Sequence, residues 1–164
     1  MDGLVGWALL RQRPWYLHLA ARRHGFADVV PDEVRRNWAR FELKQEHHAA
    51  LEIPGIGACM LDTGAPNAVY LPTRLWREMT AALPDLPRCF YYGESPAAGG
   101  PFAAECADFP VFQLGSLVLR RVRVCETFCA DCPEIILGCD FLRRMELWLD
   151  APHGVAYYRR HDSE

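Results

Sequence analysis

From Phe41 onward the apolar residues fall on alternate positions, and a period of two is what a half-buried strand requires. Phe41 and Leu43 alternate with Arg40, Glu42 and Lys44, and Leu51 and Ile53 flank Glu52. Pro54-Gly55-Ile56-Gly57 then turns the chain into the apolar run Ala58-Cys59-Met60-Leu61. Proline and glycine supply turn dihedrals and end the strand before them, so these segments read as paired strands. The texture returns at Val111 to Leu114 and at Leu117 to Val124, where Val122 and Val124 alternate with Arg121 and Arg123. Ile135-Ile136-Leu137-Gly138 reads as a buried strand ending at glycine. Leu147 to Asp150 and Val155 to Tyr158 read as a last hairpin about Pro152-His153-Gly154. Two short helices interrupt the strands. Leu75, Trp76, Met79 and Leu83 share one helical face between Pro72-Thr73 and Pro84, and Asp140 reads as the cap of a helix running to Met145. The expected class is all-β, a barrel or sandwich of short strands.

Residues 1–40 differ. Trp15 and Leu19 follow Pro14, and Pro31-Asp32-Glu33 precedes Val34, Trp38 and Phe41 at spacings of four and three, so a helical extension is expected there. The predicted organisation is this extension at 1–40 and one domain at 41–160. With 164 residues the chain has the length of one globular domain, and a 51% hydrophobic, 24% charged composition excludes collagen-like and disordered classes. The net charge of −3 favours neither nucleic acid nor an anionic membrane as partner. Only Lys44 among the 18 basic residues is lysine, so arginine number by itself reads as coding bias. The apolar stretch Leu4 to Leu10 is cut off by Arg11-Gln12-Arg13-Pro14, far short of the roughly 18 apolar residues a membrane span needs. No small-residue cleavage site follows it, so the expectation is a cytoplasmic protein with no membrane partner. Seven cysteines, an odd number in a chain that needs no stapling, predict free thiols.

Asp62-Thr63-Gly64 interrupts the run that begins at Ala58 and resumes at Ala68-Val69-Tyr70-Leu71. Aspartate and glycine are ordinary turn residues, and the triplet arises by chance in about one chain in thirty of this length. Its surroundings are more specific. Cys59-Met60-Leu61-Asp62-Thr63-Gly64-Ala65-Pro66 resembles the active-site loop of retropepsin-like aspartic proteases, and Ile135-Ile136-Leu137-Gly138-Cys139-Asp140-Phe141-Leu142 resembles the later apolar-apolar-glycine strand and helix of that family. The resemblance spans about residues 41 to 160. It implies a closed acid-protease β-barrel and a homodimeric endopeptidase acting on peptide or protein substrates, with no cofactor and no metal.

That family's chemistry needs two aspartates sharing one proton, because like charges so close cannot both ionise. With a single Asp-Thr-Gly in the chain, the resemblance implies one Asp62 from each of two chains about a two-fold axis. The ionised carboxylate would take a proton from the attacking water while the protonated one donates to the developing oxyanion. Thr63 would hydrogen-bond across the axis, Gly64 would aim its N–H at the carboxylate, and the Leu137-Gly138 segment would pack behind the loop. A mobile hairpin is expected over 88–107, where Cys89 to Tyr92 and Phe102 to Ala104 flank a Gly- and Pro-rich stretch. Ala65, Tyr92 and Gly93 are the expected substrate contacts.

Other signals have plainer readings. Cys125, Cys129 and Cys132 have the spacing of an iron–sulfur motif, and a zinc site completed by Cys139 or Cys106 is an alternative, but without a second C-x2-C pair they read as free thiols in a turn. His47-His48 reads as a solvated turn, and no Gly-x-Ser-x-Gly nucleophile motif is present. The alternative function is a catalytically inactive dimerisation or peptide-binding module using the same cleft.

Overall fold

A computed structural model describes residues 7–44, 48–95, 100–127 and 134–161. The front of the chain supplies α1 (Trp7–Leu10), β1 (Trp15–His18), β2 (Arg23–Phe26) and α2 (Asp32–Asn37). Then follow β3 (Ala39–Lys44), β4 (Ala50–Ile53), β5 (Gly57–Leu61), β6 (Val69–Leu71), α3 (Thr73–Ala82), β7 (Arg88–Ser95), β8 (Gly100–Leu114) and β9 (Leu117–Glu126). The chain finishes with β10 (Ile135–Leu137), α4 (Cys139–Leu142), β11 (Met145–Asp150), a 3-10 turn (Ala151–His153) and β12 (Val155–Arg160). The class is all-β, as the alternation requires.

The described strands form one sheet in the order β2-β1-β11-β12-β3-β4-β5-β10-β6-β9-β8-β7. It is not the closed barrel that the resemblance implied. Closure needs the first and last strands to pair, and here each edge, β2 and β7, is the outer arm of a hairpin. The sheet nevertheless folds over one core. Leu17 from β1 and Phe109 from β8, near opposite edges, belong to a single apolar cluster with Leu51, Ile53, Leu119 and Leu147. The helix at α3 also follows its expected face: Trp76 and Thr80 are buried, and Leu75 and Met79 pack on the core.

The helical reading of residues 1–40 holds at the single turn of α1 and at α2, where Val34 is buried. Trp15 and Leu17 instead alternate along β1, which pairs antiparallel with β11 in the register Trp15↔Leu149, Tyr16↔Trp148 and Leu17↔Leu147. Leu17 is 4% exposed. The spacing of four between Trp15 and Leu19 therefore joins the start of a strand to the turn after it, and the front hairpin extends the main sheet. The helix after Gly138 is also shorter than expected: it stops at Leu142, and Met145 opens β11. No described helix is long and apolar enough to cross a membrane.

A buried acid holds the front hairpin. The Tyr16 hydroxyl donates to Glu146 Oε1 at 2.6 Å, and Arg159 donates to Oε2 through Nε at 3.2 Å and through its terminal nitrogen at 2.5 Å. Burial raises the Glu146 pKa, but these donors outweigh it and hold the carboxyl below its ordinary value, while burial and the Glu146 contact push the Tyr16 phenol up to about 12. A depressed carboxyl contributes stability above its unfolded pKa of 4.5 and loses it as pH falls through the lower folded value. Tyr16→Phe should therefore cost about 1–3 kcal/mol at pH 7, and the gap from the parent should narrow below about pH 4.5. Urea unfolding of both proteins across that range measures it.

Candidate functional site

β10 lies between β5 and β6, parallel to β5 (Ile135↔Cys59, Ile136↔Met60, Leu137↔Leu61) and antiparallel to β6 (Ile136↔Tyr70, Leu137↔Val69). The chain leaves β5 at Asp62 and returns as β6 on the other side of β10. The intervening loop must therefore cross the end of that central strand. Hydrogen bonds fasten the crossing: Asp62 N–H donates to the Leu137 carbonyl at 3.0 Å, Gly138 N–H to Ala68 at 3.0 Å, and Cys139 N–H to Ala65 at 2.6 Å. The Cys139 thiol adds a bond to the Thr63 carbonyl at 2.9 Å. Burial pushes that thiol's pKa up, which keeps it a donor.

At the crossing there is no room for a side chain on residue 138. A Cβ there would lie 2.2 Å from the Asn67 carbonyl oxygen and 2.4 Å from that of Ala65. The apolar-apolar-glycine pattern thus has a steric cause.

Within the loop, Gly64 N–H donates to Asp62 Oδ1 at 2.7 Å and Ala65 N–H to the Asp62 carbonyl at 3.3 Å. Asp62 is half-buried, while Thr63 and Gly64 are exposed. Among the described residues Asp62 makes no ion pair, and the Thr63 hydroxyl makes no hydrogen bond. The three residues expected to act together are thus neighbours at one exposed loop tip. Ala65, expected to meet substrate, is 3% exposed. Its side chain joins a small cluster with Tyr70, Ala104, Cys106, Cys125 and Ile136.

Tyr70 is the residue whose role sequence reasoning missed. Its ring is fully buried, and its hydroxyl accepts from Asn67 N–H at 3.3 Å and from Asn67 Nδ2 at 3.0 Å, so it fixes the far side of the loop. Burial raises its pKa and the two Asn67 donors lower it, with a net upward shift. A tyrosine inside the apolar run 68–71 was the available signal, because a buried hydroxyl needs a partner.

The expected hairpin at 88–107 is β7 with the first half of β8, paired from Arg88↔Ala107 to Ser95↔Gly100. Met60, Tyr91 and Phe102 pack on the Ala65–Tyr70 cluster, so the hairpin and the Asp62 loop share apolar contacts. Tyr92 is 73% exposed. Gly93 serves packing within the hairpin: a Cβ would lie 2.9 Å from the Phe102 ring and 3.0 Å from that of Tyr91. Among the described residues neither Tyr92 nor Gly93 makes a hydrogen bond or ring contact with the Asp62 loop.

The free-thiol expectation fails at two positions. Cys106 and Cys125 face each other across β8 and β9 and form a disulfide, with Cα atoms 4.0 Å apart. Antiparallel pairing of β8 with β9 puts together two sulfurs that are 19 residues apart in sequence, which spacing along the chain could not show. The bridge removes both as metal ligands and removes the premise for a reducing compartment. Cys129 and Cys132 lie outside the described residues, as does His47. Cys59, Cys89 and Cys139 are free thiols, and burial drives that of Cys59 up to about 12. His48, expected to be solvated, lies 3.0 Å from Glu134.

Neither the models of known protein families nor the curated proteins give a match to this chain. The site therefore stands on its own geometry. Gly138→Ala should destabilise the fold by about 3 kcal/mol or more, because two backbone carbonyls must move to admit a methyl group. Thermal unfolding measures the loss; a midpoint unchanged from the parent would show that the crossing yields easily.

Proposed function

We propose that this protein is a homodimeric aspartic endopeptidase of the retropepsin-like type. The observation that carries the reading is the Asp62 carboxylate at an exposed loop tip, held by the Gly64 N–H on one oxygen and free of cationic partners among the described residues. Oδ1 accepts from the local backbone as a turn aspartate's does, whereas a purely structural carboxylate would be expected to spend its second oxygen on backbone or a cation as well. Here Oδ2 has no described hydrogen bond. The strand-loop-strand arrangement around β10, with the hairpin of β7 and β8 packed beside it, is consistent with the same family.

A single chain supplies one such carboxylate from this motif, so the reaction needs a second copy. The two Asp62 groups would share a proton. The ionised one would deprotonate a water as it attacks the scissile carbonyl, and the protonated one would donate to the oxygen that acquires charge. Thr63, whose hydroxyl has no described partner within the chain, is available to bond across the axis. Phe90 and Tyr92, both strongly exposed on β7, supply apolar surface suited to cover an extended peptide.

Asp62→Asn should abolish cleavage of a mixed peptide library without altering the circular dichroism, because the amide keeps the shape but cannot act as the base. Specific activity of the parent should fall on dilution together with the dimer mass. The rate should follow a bell on the acid side of neutrality, each limb a macroscopic pKa of the pair. Full activity from a strictly monomeric sample sinks the dyad. Peptide binding without turnover at any pH identifies the inactive binding module instead.

A further inference from the structure

Arginine number carries no signal in a chain with a single lysine, but arginine placement does. A cleft of about 850 Å³ lies among the turn between β1 and β2, the start of β9, α4 and the end of β12. Among the described residues Arg120, Arg121, Arg143, Arg144 and Arg160 line it, against one carboxylate, that of Asp140. The described lining residues thus carry an excess of four positive charges in a protein whose net charge is −3. Like charges so close repel one another, and an anion between them relieves that repulsion.

Two of the arginines build the wall. Arg144 donates to the carbonyls of Arg120 and Arg121 and also reaches Asp140, through the carboxylate Oδ2 at 2.9 Å and the backbone carbonyl at 3.2 Å. Arg160 donates to the Val118 carbonyl. The one carboxylate among the described lining residues is therefore already neutralised by an arginine with a structural task. Arg120, Arg121 and Arg143 are exposed, and their guanidinium groups make no hydrogen bond or ion pair among the described residues. They are the groups left for a ligand.

The backbone beneath them is unusual. Arg121 has φ +47°, a conformation that a side chain with a Cβ adopts at a cost. The paired residues run Phe109↔Val122 and then Val111↔Arg120, so Pro110 stands opposite Arg121. Proline has no N–H to give to the ladder, and Arg144 supplies donors to the adjacent carbonyls instead. The interruption in the strand pair and its repair by Arg144 set two consecutive arginines at the cleft.

We infer that this cleft binds a small molecule carrying linked phosphate groups. Guanidinium forks match phosphate oxygens in pairs, and two linked phosphates carry about three negative charges in a small volume. Carboxylates would need three or four groups to supply the same charge. The volume suits a small ligand. A nucleic acid polymer would extend its charge beyond the cleft over a protein that is acidic overall. The inference is independent of the peptidase reading, since none of the lining residues belongs to the Asp62 loop.

Calorimetric titration of the full chain with pyrophosphate tests it. One molecule should bind per chain in a saturable manner, and affinity should fall by about tenfold or more in Arg120→Ala and in Arg143→Ala. Neither side chain has a partner among the described residues, so thermal midpoints should stay at the parent value. Orthophosphate and citrate should bind at least about tenfold more weakly than pyrophosphate. No saturable binding of pyrophosphate, or equal binding by both folded variants, overturns the site. Citrate matching pyrophosphate replaces linked phosphates with carboxylates, and an oligonucleotide displacing pyrophosphate at lower concentration replaces the small ligand with a polymer; either result refutes the assignment.

Discussion

The crossing of the 62–68 segment over the end of β10 is the constraint on which the rest of this molecule turns. Two strands from one continuous stretch of chain flank a third that arrives more than sixty residues later. The loop joining them must pass close above the third strand's last residues. That proximity excludes any side chain at Gly138 and lets Leu137, Gly138 and Cys139 satisfy backbone groups of the loop. Buried peptide groups left unpaired would be expensive, so these bonds set the loop's path as firmly as its apolar contacts do. Asp62 sits half-buried at the tip, beside exposed Thr63 and Gly64, with the residues on both sides held down.

Rigidity spreads from there through a small apolar cluster. Tyr70 and Ala65 hold the inner side of the loop, and Cys106 and Cys125 tie β8 to β9 beneath the hairpin. The carboxylate and the hairpin beside it are thus mounted on one packed unit, as a site needs when its reacting groups must hold their positions. The two hairpin arms at the sheet edges have different roles. β1 and β2 are fixed by Leu17 in the core and Tyr16 on the buried Glu146, whereas β7 carries exposed Phe90 and Tyr92.

The electrostatic organisation is also two-sided. Asp62 has no described cationic partner, while five arginines gather at the cleft beside α4. α4 touches both regions: its first residue, Cys139, bonds the Asp62 loop, and Asp140 lies against Arg144. Composition conceals this arrangement, because the overall charge is slightly negative and arginine is frequent throughout.

Periodicity alone determined the all-β class, the α3 helix and the final hairpin, since alternation over residues 41–61 and 111–124 admits no helix with a coherent apolar face. The Asp62 turn and the glycine at 138 were legible for the same local reason: each residue type answers a backbone demand at its own position. What only the tertiary structure decided involves partners distant in sequence. Trp15 to His18 became a strand because β11 offered an edge and Leu17 found the core, against a spacing that suggested helix. Cys106 met Cys125 only through strand pairing, Tyr70 acquired its role from Asn67 and the cluster around it, and the arginines of β9, β12 and the turn after α4 converged where Pro110 interrupts a ladder. Local sequence sets what a segment can form; which surfaces meet depends on burial and pairing across the whole chain.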